Sequence, residues 1–331
     1  MSAFHTIEST PQASVSQLGL ACAGHRGFRG RYPENSILSF EKAITEGHVD
    51  LIETDLRLSA DNILVLSHDV NTTRCFGEKY DIRTTNYLNG LDRLVYSNTT
   101  HKMASFRDLL SLISSHGLDG RAEKVKLILD IKPDNPDKIF AAVVKELQSV
   151  NIDLLYWASR ISFGVWVPEF VKQCELDAPE FPVVYIGVSR SPHLYKTSLL
   201  ATSNCVKTFS LHITTLKYMV SKDKNFLINL KSKGKSVYAW TVNDKYNMKW
   251  CVDNGIDGLI TDFPDHLYNL VHKKDILDHK KLSLSFRFNY FFLFPLLESL
   301  FLPVLSKASE LYVYHTYLKN RNAPVELKKV K

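Results

Sequence analysis

The sequence predicts an α/β fold, a TIM (β/α)8 barrel forming a single domain. Short apolar, β-branched runs alternate with amphipathic stretches, and the alternation repeats roughly eight times over about 250 residues. The polar residues with chemical potential stand at the ends of the apolar runs. The first run ends at Gly24-His25. The others lie at Asp50–Leu58, Ile63–Ser67, Lys126–Ile131, Ile161–Val167, Pro182–Val188, Val206–Leu211, Ser236–Val242 and Gly258–Thr261. Helical patterns between them include Ser36–Glu46, Ser105–Ser115, Pro136–Val150 and Tyr246–Asn254, with Gly47, Gly117 and Gly255 where helices commonly stop. Pattern alone also admits an open doubly wound sheet, and the placement of the polar residues decides for closure. Asn71 to Lys102 is the one long irregular stretch, a small lid or a long connection.

Composition sets the outer limits. A chain of 331 residues with 45% hydrophobic and 23% charged residues can bury a large core. The barrel is expected over 20–275, after a flexible segment at 1–19 and before a C-terminal tail at 276–331. Met1 to Leu20 lacks a basic start followed by an apolar core, so no secretory signal is expected. The five scattered cysteines, Cys22, Cys75, Cys174, Cys205 and Cys251, read as reduced thiols of a cytosol-facing protein. A net charge of +6 suits an acidic lipid surface, but without basic runs in the first two-thirds it gives no support for nucleic acid.

The chemistry gathers at strand ends. His25 and Arg26 follow the first strand, and Pro33-Glu34-Asn35-Ser36 opens the first helix. Glu53 and Asp55, two apart on one strand, point to the same face. His68-Asp69 ends the next strand, Asp130 and Lys132 repeat the two-residue spacing, and Trp240 and Asp262 stand in the last two strand-end motifs. In a parallel barrel all of these collect at one mouth. Three carboxylates there, Glu53, Asp55 and Asp130, are strongly unfavourable without compensation, and an all-oxygen set suits Mg²⁺ or Ca²⁺ and not zinc. Two imidazoles beside such a cation can serve as general base and general acid, while Arg26 and Lys132 offer positive charge to phosphate oxygens. Taken singly, each residue has an ordinary explanation. A strand-end histidine is often structural, acid pairs are commonly solvated or salt-bridged, Lys132 can neutralise one of the acids, and a lone tryptophan is usually core. Their joint placement on one rim favours the chemical reading.

The segments HRGFRGRYPENS (25–36), DLIETDLRLSADNILVLSHD (50–69), LILDIK (127–132), YAWTVND (238–244) and GIDGLITDFP (255–264) resemble the glycerophosphodiester phosphodiesterase family. That resemblance implies a TIM barrel, His25 and His68 as catalytic residues, and Glu53, Asp55 and Asp130 as ligands of one divalent cation. It further implies Arg26 and Lys132 as phosphate contacts, with Trp240 among the substrate-binding residues. Asp130 departs from the family, which more often has Glu there. Trp157 to Trp166 and Phe209-Ser-Leu-His212 resemble the fungal phosphatidylglycerol-specific phospholipase C branch, whose members are membrane-anchored. The implied reaction releases diacylglycerol and glycerol 3-phosphate from phosphatidylglycerol. The alternatives are a phosphodiesterase for soluble deacylated phospholipids and a non-catalytic phospholipid-binding barrel.

The tail is apolar and aromatic over Leu282–Leu305, with Lys280, Lys281 and Lys307 beside it. It is long enough to span a bilayer, but Arg287, Pro295, Glu298 and Pro303 favour a helix or shallow hairpin lying in the lipid interface. A tail packed over the bottom of the barrel is the remaining option. The expected setting is an intracellular membrane facing the cytosol, at the endoplasmic reticulum, a lipid droplet or the mitochondrial surface. The expected partners are the phospholipid substrate and that membrane, with no obligate protein partner evident.

Overall fold

The apolar runs become strands because parallel staves are buried on both faces; every residue of the second one is buried. A computed structural model describes residues 19–115, 117–189, 191, 195, 199–272, 315, 316 and 318. Its strands are β1 (Ala21–His25), β2 (Leu51–Leu58), β3 (Leu64–Leu66), β4 (Lys126–Ile131), β5 (Ile161–Val165), β6 (Val183–Gly187), β7 (Val206–His212), β8 (Ser236–Trp240) and β9 (Gly258–Thr261). The order β1-β9-β8-β7-β6-β5-β4-β2 is closed by a parallel β1–β2 pairing, giving an eight-stave barrel in place of the open sheet.

One expectation is corrected. The run Ile63–Ser67 is not a stave: β3 pairs antiparallel with β2, Leu58 opposite Leu64 and Leu56 opposite Leu66. β2 overshoots the rim, the chain turns at Ser59–Asn62, and β3 brings it back until the Ser67 N–H donates to the Asp55 carbonyl at 3.1 Å. A short apolar run has no directional mark, so its sequence reads alike in either sense.

Two apolar layers hold the barrel. Between sheet and helices lie fully buried rings, among them Phe40, Phe106, Phe140, Phe163, Phe170, Phe209 and Phe226. Phe140 meets Phe163 at 5.5 Å and Phe170 at 5.2 Å, both edge to face. Each such burial contributes about 2–3 kcal/mol relative to exposure. The separate cluster of Ala23, Leu51, Ile128, Val184 and Ile260 draws on the neighbouring staves β9, β1, β2 and β4 and on β6, and fills the barrel's interior. Helices start where capping side chains sit. The Ser36 side chain accepts from the Ser39 N–H, and Ser105 forms a capping box with Asp108.

The stretch from Asn71 to Lys102 has a small core of its own. Phe76, Ile82, Leu91, Leu94 and Tyr96 pack together beside Val65 and Met103. All five cysteines are free thiols. Among the described residues no helix is long and apolar enough to cross a membrane. The expected apolar stretch Leu282–Leu305, like residues 1–18, lies outside the described residues.

Candidate active site

Strand register assembles the site. β1 and β2 place His25 opposite Glu53, and β2 and β4 place Asp55 opposite Asp130. Glu53, Asp55 and Asp130 are buried, and each offers an oxygen within 4.8 Å of the other two. Lys132 reaches back to bridge Asp55 at 2.9 Å and Asp130. Arg26 stands at the turn after β1 with φ 53°, followed by Gly27 at φ 84°. A side chain at Gly27 would lie 2.5 Å from the Ser39 hydroxyl, so the tight turn requires glycine there. The turn aims the Arg26 backbone N–H at Glu53 (3.0 Å) and its guanidinium at Asp55 (3.3 Å) and Glu34 (2.8 Å).

The cations do not balance the acids. Burial, Asp55 and Asp130 push the Glu53 carboxyl well above its usual range, against the opposing pull of Lys132 and Arg26. Burial also acts to raise Asp55, but Lys132 and Arg26 overcome it and hold that carboxyl well below its usual range. A trio of buried oxygen donors, one of them with its ionised form disfavoured for want of positive charge, fits a hard divalent cation. Asp130 is engaged on both oxygens, by Lys132 and by the Trp166 indole N–H at 2.6 Å.

Both histidines use Nδ1 on a carboxylate. His25 Nδ1 lies 2.6 Å from Asp262, and His68 Nδ1 lies 2.7 Å from Asp69. Both aspartates are held below the usual carboxylate range, where they are ionised and only accept. Each Nδ1 therefore carries the proton and leaves Nε2 for chemistry. The His25 Nε2 is 3.9 Å from Glu53. Burial lowers both histidines from the ordinary value, so near pH 7 both rings are neutral.

His25, Arg26, Glu53, Asp55, His68, Asp130, Lys132 and Trp240 all reach this mouth, whereas Trp157 and Phe209 are buried in the core between sheet and helices. Arg26 and Lys132 are ion-paired to the acids there, so Lys132 does neutralise members of the trio. Trp240 is half-buried; its indole N–H donates to the Ser210 carbonyl at 3.0 Å, and its ring stands edge-on to Trp166 and His212. Sequence reasoning gave no role to Glu34, which accepts from Arg26, Arg29 and Arg74, nor to Asn35, whose amide donates to Asp55 at 3.0 Å. Nor does it give a task to Asp69 and Asp262, the aspartates behind the histidines. Trp166 could have been found by register, two positions beyond Gly164 on the inward face of its stave. Arg74, forty residues from Glu34 in an aperiodic stretch, carries no sequence signal.

Residues 25–266 match the model of the Glycerophosphoryl diester phosphodiesterase family. The mouse protein Lysophospholipase D GDPD3 is 24% identical over 295 residues, covering 80% of this chain and 86% of that protein. A glycerophosphodiester phosphodiesterase structure from Parabacteroides distasonis superposes with a TM-score of 0.60 at 22% identity, covering 77% of this chain and 98% of that one. A phosphodiesterase from Oleispira antarctica, solved with the product sn-glycerol-3-phosphate, gives 0.59 at 18% identity, covering 78% and 99%.

Proposed function

The chain belongs to the glycerophosphoryl diester phosphodiesterase family, and on that premise we propose that it cleaves phosphatidylglycerol to diacylglycerol and glycerol 3-phosphate. The enzyme class, phosphoric diester hydrolase, follows from the family. The observation that carries the reading of the site is the buried trio Glu53, Asp55 and Asp130 beside two histidines whose Nδ1 atoms are fixed on aspartates. We assign His25 and His68 as proton donor and acceptor. The Nε2 of one neutral ring takes the proton from the glycerol 2-hydroxyl or from a water, and the other ring, having first taken up a solvent proton at Nε2, delivers it to the departing oxygen. Attack by the 2-hydroxyl leaves a cyclic phosphate that water then opens to glycerol 3-phosphate. Arg26 and Lys132 bring positive charge to the same spot, where negative charge develops on the phosphoryl oxygens. A divalent cation, Mg²⁺ or Ca²⁺, held by Glu53, Asp55 and Asp130 would add Lewis-acid polarisation of the phosphoryl group.

Phosphatidylglycerol is favoured by the Trp157–Trp166 segment and by the apolar, basic-flanked tail, which we assign to an intracellular membrane surface facing the cytosol. Deleting residues 280–331 should release the protein to the soluble fraction; a truncated form that still pellets with membranes removes that anchor. A second reading draws on the curated relatives called lysophospholipase D: cleavage on the alcohol side of a lysophospholipid.

The test is product analysis after incubating the full chain with phosphatidylglycerol, lysophosphatidylcholine or glycerophosphocholine, each with Mg²⁺ and with Ca²⁺. Diacylglycerol with glycerol 3-phosphate supports the main reading, and lysophosphatidic acid with choline supports the second. Turnover of glycerophosphocholine alone assigns the chain to soluble diesters. No turnover of any of the three overturns the proposal.

A further inference from the structure

His68 is braced by a residue that lies outside the barrel. Its carbonyl is pinned by the Arg57 guanidinium, at 3.1 and 2.6 Å, and its ring by Asp69. The other oxygen of Asp69 receives the Arg74 Nε–H at 2.6 Å. The two terminal nitrogens of Arg74 donate to the two carboxylate oxygens of Glu34, at 2.9 and 2.6 Å. Glu34 is itself bonded on several sides: it takes Arg26 and Arg29 as well, and its carbonyl accepts from the Tyr96 hydroxyl at 2.5 Å. Arg74 belongs to the one-turn helix Thr73–Phe76, which is anchored by the Phe76 ring 4.4 Å from Tyr96.

We infer that Arg74 is a positioning residue for His68, holding the ring's orientation through Asp69 and tying it through Glu34 to the rim that carries His25. The inference rests on His68 being a catalytic group, as proposed above. Without Arg74, the Asp69 carboxylate is free to rotate about its own side-chain torsions, and the proton on Nδ1 loses a fixed acceptor. The bridge needs a planar fork, because three N–H groups serve two carboxylates at once; an ammonium supplies charge but not that geometry. Arg74 is exposed, its side chain 46% accessible, whereas Glu34 is buried. It can therefore be replaced with little loss of apolar packing. A competing role, direct contact with the substrate phosphate, makes a different kinetic prediction.

The experiment uses the full chain, with kcat and KM measured on phosphatidylglycerol and on glycerophosphocholine and thermal melting as the folding control. Arg74→Met should lower kcat by about 10²-fold with KM within about twofold. In an Asp69→Asn background the same change should cost almost nothing further, because the path to His68 is already cut. Arg74→Lys should recover only a small part of the loss, and it carries the same comparison if the methionine variant fails to fold. A raised KM at unchanged kcat, or losses from Arg74→Met and Asp69→Asn that multiply, overturns the inference, as does full recovery by lysine. His68→Ala separates the two levels. An active His68→Ala protein removes the catalytic reading itself, whereas an inactive one beside an Arg74→Met protein of normal kcat removes only the role of Arg74.

Discussion

His25 and His68 end their Nδ1 hydrogen bonds on the same kind of partner, an ionised aspartate, but the two aspartates are anchored in different material. Asp262 follows β9. It is held by the Asn243 amide at 2.8 Å, and its backbone N–H donates back to the Asn243 side chain at 2.8 Å. Everything behind His25 is thus barrel. Asp69 follows the returning arm β3 and is held by Arg74 from the 71–102 segment. His25 is 12% accessible and His68 34%. One half of the proposed catalytic pair is built into the staves, and the other is delivered by an appendage. A rigid scaffold fixes geometry closely, whereas a hairpin arm with a surface brace is easier to adjust.

The comparison can be broken most directly at the rings. His25→Ala should abolish turnover, a fall of at least about 10³-fold, while melting temperature and lipid association stay near wild type. Near-normal activity would refute its role. A step down in size, Asp262→Asn should cost more than Asp69→Asn: about 10³-fold against about 10²-fold, because His68 keeps the Arg57 contact at its carbonyl when Asp69 is lost. Equal losses from the two variants would remove the distinction between the braces.

Glu34 joins the two halves and shows itself in stability. Burial pushes its carboxyl up, but the hydrogen bonds and charge of Arg74 and Arg26 prevail and hold it at about 2. A folded-state value below the unfolded one stabilises the protein above about pH 4.5, and this contribution is lost as pH falls toward 2. The size is about 3 kcal/mol. Urea melts of the wild type and of Glu34→Gln should converge over that window; parallel curves would show that Glu34 is not held this way.

The smallest effect should come from the trio. With Glu53 pushed up, ionising it opposes folding, so Glu53→Gln should raise the melting temperature of the metal-free protein at pH 7. Mg²⁺ or Ca²⁺ should raise the melting temperature of the wild type, and Glu53→Gln should lose that rise. A metal-dependent rise that survives in Glu53→Gln argues against Glu53 as a ligand.

Much of this was legible beforehand, and what was not shares a physical cause. Strand ends carry their chemistry in contiguous letters, so His25, Glu53, Asp55, Asp130 and Lys132 could be placed on one mouth from spacing and the single premise of parallel staves. The direction of β3 could not be read, because three apolar residues have no polarity of their own. Asp262 and Glu34 stood inside quoted motifs, yet their tasks depend on partners 237 and 40 residues away, on His25 and on Arg74. Side-chain to side-chain bonds across such separations leave no periodicity for a sequence reading to find.

The overshoot of β2 has a consequence for how this architecture diversifies. Because His68 rides on a returning hairpin, the gap between the imidazoles is governed by the four-residue bend at Ser59–Asn62 and the few rungs joining β2 to β3. Lengthening or trimming that bend slides one jaw of a vice along its rail while leaving the bench untouched. Relatives could widen the bite for bulkier esters by editing a surface turn, with no stave of the barrel rebuilt.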